Sequence, residues 1–314
     1  MESHAATILD AGSPTEPPLP LPGRLCYSRG IDYRERILAC HRVDLSAFVP
    51  WCTGSHSVGS VHRYRVPRLL RVCPAFTMSS SQDRLLLAGE DHAARSQSLA
   101  AAIERLVAQG ELRVPLGEPY PLLDRATCQP LAQLDRTAVP WFGVLAMGVH
   151  LNGYVRTATG PHLWIARRAA GKRTFAGHLD NVVAGGQGAG YTARQTLVKE
   201  CAEEAGIPAA LAARAVAVGS IGYTQQDGAS LKVDRLACFD LELPAGFEPR
   251  PVDGEVERFE LRSAAAVAAS LREDESWKPN CALVALDFLL RWGLLDGELP
   301  PAERLRLWRA LHAG

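Results

Sequence analysis

The sequence predicts an α+β fold, with a small N-terminal α+β domain ahead of a larger domain in which helices cover a mixed sheet. Three observations lead there. Strand-like and helix-like segments alternate irregularly in the second half, with a hairpin pattern in the middle, which a doubly wound parallel sheet would not contain. A Pro-rich stretch over 114–140 with little periodicity separates two halves of different texture. At 314 residues the chain is long enough for two domains.

The elements follow in order. Residues 1–24 read as a disordered tail, because Pro14, Pro17, Pro18, Pro20 and Pro22 remove backbone donors. The small N-terminal domain is placed at 25–138 and the larger domain at 139–314. Tyr33 to His41 has the look of a short helix, and Ala47–Trp51 and Val58–His62 read as strands around the turn-rich Thr53–Ser57. Over Ser98–Gln109, Leu99, Ala102, Ile103, Leu106 and Val107 share one helical face, with Gly110 as a stop.

In the second half, Trp141–Val155 and His162–Arg167 are apolar, strand-like runs. Thr192–Ala205 is a predicted helix ending at Gly206, with Pro208 beyond it. Val216–Tyr223 and Lys232–Leu243 are β-branched and aromatic around a turn at Gln225–Gly228. Asn280–Trp292 is an apolar helix with Asn280 as its expected N-cap, and Pro301–His312 is a final amphipathic helix.

Composition narrows the function classes. Hydrophobic content of 47% with 22% charged residues is that of a soluble globular chain. Formal net charge is zero, so no general nucleic-acid or membrane-surface footprint is expected. No run of about 18 apolar residues predicts a membrane span. The N-terminus lacks a basic patch followed by an apolar stretch, so the expected location is cytoplasmic. Eight cysteines have no CxxC spacing, which favours buried reduced thiols over a zinc or redox site.

Chemistry concentrates in Lys199-Glu200-Cys201-Ala202-Glu203-Glu204-Ala205-Gly206-Ile207. Positions three and four apart share a helix face, so Glu200, Glu203 and Glu204 project together. Three carboxylates in one turn repel unless a cation sits among them, and hard oxygen ligands select magnesium or manganese. The preceding Gly185-Gly186-Gln187-Gly188-Ala189-Gly190 offers a tight turn and close backbone approach to an anion or metal, so Gly185 is counted with the metal group.

These residues resemble the Nudix box, which reads Gly, five residues, Glu, seven residues, then Arg-Glu-apolar-x-Glu-Glu-x-Gly-apolar. Here the pattern runs from Gly185 through Tyr191 to Lys199 and on to Ile207, with every spacing kept. Tyr191 replaces the box glutamate and Lys199 its arginine, a pair that in the family supports the helix. The resemblance implies a Nudix α/β/α sandwich with a mixed sheet, and a Mg2+- or Mn2+-dependent diphosphate hydrolase. It assigns Glu200, Glu203 and Glu204 to metal, with Glu200 also a base, and points to Glu255, ahead of Glu257, as a further catalytic carboxylate.

The flanks, including Phe142–Val144, Gly148–Tyr154, Leu179–Gly186 and Trp277–Val284, resemble the branch of Nudix proteins related to thiamine pyrophosphokinase. That resemblance implies hydrolysis of thiamine diphosphate, preferably its damaged oxo and oxy forms, to the monophosphate. Expected substrate contacts are Arg167, Lys172, Lys278 and Asn280; Asn280 would serve equally as a helix cap. The Arg167, Arg168, Lys172, Arg173 cluster reads equally as a solvated loop. Trp277, Tyr223 and Trp164 are stacking candidates or core residues, and Asp180 and Asn181 could meet a pyrimidine. Cys201 should face the core, and neither it nor Cys281 is read as a nucleophile. Two alternatives stand beside this: hydrolysis of another nucleotide or coenzyme diphosphate, and a non-catalytic ligand sensor on the same fold. The N-terminal domain could lid the site, mediate homodimerisation or recognise the heterocycle.

Overall fold

The computed structural model describes residues 32–273 and 276–313. The tail expected over 1–24 lies outside the described residues.

The chain opens with α1 (Tyr33–Ala39), capped by the Asp32 side chain, which accepts from the Arg34 amide. Strands β1 (Phe48–Thr53) and β2 (His56–His62) form the expected hairpin. Next come α2 (Val66–Val72), β3 (Phe76–Met78), β4 (Leu85–Leu87) and α3 (His92–Ala108). The four strands make one sheet in the order β2-β1-β4-β3. Helix α3 begins six residues before the expected start, because Asp91 caps it through the Ala94 amide. Trp51, Leu69, Leu85, Leu99 and Leu106 fill the space between sheet and helices.

The Pro-rich stretch is not irregular throughout. It contains a hairpin, β5 (Pro119–Leu123) with β6 (Pro130–Asp135), whose Tyr120, Leu122, Leu131 and Leu134 are buried in the N-terminal core. Then α4 (Val139–Phe142) carries Trp141 and Phe142, expected in a strand, and ends at Gly143 in the left-handed region.

The second half holds β7 (Leu145–Thr157), β8 (Gly160–Arg168), β9 (Leu179–Asn181), β10 (Val183–Gly186), α5 (Ala193–Ala205), α6 (Ala209–Ala212), β11 (Val216–Asp227), β12 (Ser230–Glu242) and β13 (Val256–Ser263). Three helices follow: α7 (Ala264–Glu273), absent from the sequence reading, α8 (Pro279–Arg291) and α9 (Pro301–Leu311). The seven strands form one mixed sheet in the order β11-β12-β7-β8-β13, with β10 added to β7 and β9 to β8. Only β12 and β7 run parallel within it; the other strand pairs are antiparallel.

Strand alternation gives the sheet two apolar faces. Val149, Leu151, Phe239 and Leu241 pack with Leu197 and Cys201 of α5. Tyr154, Leu236 and Cys238 pack with α8, α7 and α9 on the other side. The result is the α/β/α sandwich with a small α+β domain before it. Helix α8 is buried from Cys281 through Leu289, as a helix apolar all round must be. One segment departs from the expected partition: Tyr33 and Ile37 of α1, with Cys40 just after it, join this C-terminal core, not the N-terminal one. Among the described residues no helix is long and apolar enough to cross a membrane.

Candidate active site

Helix α5 positions the acidic residues, and its ends are fixed locally. Thr192 caps it by accepting from the Gln195 amide while Gln195 Oε1 accepts from the Thr192 amide, a reciprocal capping box. Gly206 stops it in the left-handed conformation. Leu197, Cys201 and Ala205 pack onto the sheet, which turns Glu200, Glu203 and Glu204 toward β10. Cys201 faces the core, as expected.

The glycines work differently from the expectation. Gly185 and Gly186 are not in a turn; they lie on β10, paired with Val149 and Gly148 of β7. Their role is close approach. A Cβ on Gly185 would lie 2.3 Å from Glu200 Cδ, and one on Gly186 would lie 1.8 Å from Tyr120 Oη. Of the glycines from 185 to 190, Gly190 takes a positive φ.

The three carboxylates have unequal surroundings. Glu204 is only 7% exposed, and its Oε2 accepts from the Ala184 amide at 2.9 Å. Burial pushes its carboxyl well above the usual range, and Glu200 is raised for the same reason. Glu203 is half-exposed and 2.5 Å from Lys199 Nζ, which also reaches Glu200 at 3.3 Å. Lys199 therefore serves as an internal counter-charge for two of the three, and Glu203 foremost raises its ammonium pKa. Tyr191, at 49% exposure, stands on the rim. A buried carboxylate beside a second one, with no ion pair among the described residues, is a donor set that fits a hard divalent cation.

The cleft around this cluster is also lined by Gly117, Pro119, Tyr120, Arg136 and Glu255. Tyr120 comes from the N-terminal hairpin and Arg136 directly follows it, and the hairpin is tied down by the Ala189 amide donating to Pro119 O at 2.8 Å. Past Tyr120, Arg136, Gly185 and Gly186 the cleft continues into a second compartment. There the lining is basic and aromatic, with Arg168, Lys172, Lys232 and Lys278 beside Phe175 and Tyr223.

Several expected contacts reach this compartment. Lys172 lines it and pairs with Glu255 at 2.5 Å. Lys278 and Asn280 line it too, but Asn280 is not the cap of α8. Lys278 takes the cap position and Pro279 the first turn, since proline is preorganised there and needs no donor. Arg167 is not in the cleft. It donates to Gly177 O at 2.9 Å and faces Glu260, while its neighbour Arg168 turns inward, because successive strand residues alternate. Glu257 pairs with Arg258 away from the site. Trp277 is buried and donates to Ser270 Oγ, and Trp164 packs beside the α5 core, so neither lines the cleft; Tyr223 does.

Asp180 and Asn181 lie beneath the floor. Asp180 Oδ2 receives Arg168 at 2.9 Å and Lys278 at 3.1 Å, and the Cys281 thiol donates to Oδ1 at 2.6 Å. Burial opposes the charge on Asp180, but Lys278 and its other positive neighbours outweigh it and hold the carboxyl below its usual range. His150 Nδ1 lies 2.8 Å from Asn181 Oδ1, and burial pushes its imidazole down to about 4. His150, Asp180 and Cys281 bring their donor atoms within 4.8 Å of one another. They do not fit a metal, since Asp180 already carries two cations and burial keeps the thiol protonated. The group braces the start of α8 against β9.

Sequence reasoning missed Tyr120, Arg136, Phe175, Lys232 and Asp234. The spacing of Lys232 and Asp234, two apart on one strand face, was the one signal available.

Residues 32–146 match a family described as a domain of unknown function, DUF4743. Nudix hydrolase 20, chloroplastic, of Arabidopsis thaliana is 38% identical over 290 residues, covering 87% of this chain and 77% of the relative. Nudix hydrolase 24, chloroplastic, of the same plant is 36% identical over 286 residues, with 90% and 78% covered. An uncharacterized protein of Saccharomyces cerevisiae is 30% identical over 277 residues, with 81% and 80% covered.

Proposed function

The chain belongs to the Nudix hydrolases, enzymes that act on diphosphate bonds, and from that premise we propose that it removes the terminal phosphate of thiamine diphosphate, preferably its damaged oxo and oxy forms, to give the monophosphate. One observation carries the reading. A single cleft joins the Glu200, Glu203, Glu204 cluster to a compartment lined by basic and aromatic side chains. A diphosphate on a flat cationic heterocycle matches both parts: oxygens for the first, a ring face for Tyr120, Phe175 or Tyr223 in the second.

Glu200, Glu203 and Glu204 would hold magnesium or manganese, with the Gly185 backbone beside them. When bound, such an ion supplies charge neutralisation at the phosphate oxygens. The chain's residues do the rest. Arg136 lines both compartments and Lys172 the second, and the two offset the diphosphate charge. Attacking water gives its proton to a carboxylate, and Glu200 and Glu255 both line the cleft in reach of that role. Asn280 and Lys278 line the second compartment, with Lys278 largely neutralised by Asp180.

The test is a panel of thiamine, oxothiamine and oxythiamine diphosphates, ADP-ribose, a dinucleotide and coenzyme A. Phosphate and the thiamine monophosphates should form in the presence of Mg2+ or Mn2+, and Glu203→Gln should abolish this. Untouched thiamine compounds beside rapid cleavage of a nucleotide would overturn the substrate. Full activity in Glu203→Gln would overturn the mechanism.

A further inference from the structure

The basic compartment contains an acid whose position the hydrolytic step does not explain. Asp234 lies on β12 opposite Tyr223 of β11, and the Tyr223 hydroxyl donates to its Oδ2. Its Oδ1 has no hydrogen-bond partner among the described residues, and the side chain lines the cleft. The other acids nearby are already paired: Glu255 with Lys172, Glu118 with Arg136, and Asp180 with Arg168 and Lys278. Among the described residues Asp234 forms no such pair, although Lys232 is two residues away on the same face.

This arrangement sorts the two ends of a ligand. A carboxylate that holds no cation repels phosphate oxygens, whereas Glu200, Glu203 and Glu204 would present them with a bound divalent ion, so the diphosphate belongs beside the glutamate cluster and the organic moiety beside Asp234. Burial pushes the Asp234 carboxyl above its usual range, with the Tyr223 bond opposing it, so a donor on the ligand would favour the charged form. A half-satisfied acceptor on a rigid strand pair discriminates strongly, because a ligand lacking the donor leaves it unpaired.

We propose that Asp234, oriented by Tyr223, determines specificity by accepting a hydrogen bond from an amino or cationic group on the organic moiety of the diphosphate substrate. The inference rests on the diphosphate hydrolase reading of this cleft, but not on thiamine being the organic moiety.

The experiment uses the full chain with Mg2+, the best amino-bearing substrate of the panel, and benzyl diphosphate, which has a ring and no donor. Asp234→Asn should raise KM for the amino-bearing substrate by about 10- to 100-fold with kcat little changed. Tyr223→Phe should shift the same ratio in the same direction by less, and it keeps the test open if Asp234→Asn fails to fold. On benzyl diphosphate the three proteins should differ much less than on the amino-bearing substrate, so that the ratio of the two KM values moves. Equal losses on both substrates, or no change in their ratio, would overturn the proposal. Cleavage of ADP-ribose but not thiamine diphosphate would remove thiamine as substrate and leave the Asp234 comparison to be read on ADP-ribose. Good cleavage of thiamine diphosphate with an unchanged ratio would remove Asp234 alone.

Discussion

Replacing Glu204 with glutamine should separate stability from activity. The carboxyl is buried beside Glu200 and receives one hydrogen bond, from the Ala184 amide. Without metal the folded chain must keep a proton on it or hold a buried charge. Keeping the proton costs about 1.4 kcal/mol for each pH unit above the ordinary value of 4.5, so the ceiling at pH 7.5 is about 4 kcal/mol. Glutamine removes that cost but brings two donors that need partners, so a net gain of about 2 kcal/mol is expected. The sign with pH follows from the raised folded pKa. Above 4.5 the folded state binds more protons than the unfolded state, so wild-type stability falls as pH rises. The advantage of Glu204→Gln should be small at pH 5 and grow toward pH 7.5. Urea unfolding in a chelator at both pH values measures it. Added Mg2+ should stabilise the wild type more than the variant, and hydrolysis by the variant should fall by about 100-fold or more. A variant less stable than wild type at pH 7.5 in chelator, or a difference independent of pH, would refute the reasoning.

Three further outcomes follow from the same geometry. Gly185→Ala should stay folded but lower kcat by about 10- to 100-fold, because its Cβ would displace the Glu200 carboxyl; steady-state rates and circular dichroism check this. Lys199→Gln should lower the Mg2+ concentration for half-maximal activity by about 2- to 5-fold, since a half-exposed competitor for Glu200 and Glu203 is removed; an unchanged metal titration would refute it. His150 has a folded pKa of about 4 against 6.5 unfolded, so the unfolded state binds more protons between them and stability is lost as pH falls through that window. Wild type should lose about 3 kcal/mol more than His150→Gln between pH 7 and 4, measured by urea midpoints, whereas the Asp180 contribution disappears only below 3.8.

The glutamate helix was legible because everything that defines it is local. Its period, the Gly206 stop and the acidic spacing all fall within residues 192–207, and the structure keeps them. The glycines were legible as residues but not in their role, since the steric demand on Gly186 comes from Tyr120, far away in sequence, and that on Gly185 from Glu200 only once α5 packs against β10. Arg167 was chosen over Arg168 because a run of basic residues does not reveal strand parity; that is set by pairing with β13 and β9. Asn280 looked like a cap because it is a good capping residue, but Pro279 already occupies the first turn.

The substrate half of the cleft was the least legible part, and the reason is structural. Its lining comes from β5, α4, β7, β8, β10, β11, β12 and the start of α8, together with the loop bearing Phe175, Glu255 and the residue after β6. No single stretch of sequence contains enough of it to form a pattern. The hairpin of β5 and β6 was hidden further by its prolines, which erase periodicity without preventing a two-stranded ribbon. Yet that hairpin brings Tyr120 against Gly186 and Arg136 to the junction of the two compartments. The segment that matches a domain of unknown function thus forms a wall of the cleft. The box helix supplies the acidic cluster, and the wall shapes the space in which a particular diphosphate must fit. Changes at Tyr120 or Arg136 should therefore act on substrate choice, through KM, before they act on the acidic cluster.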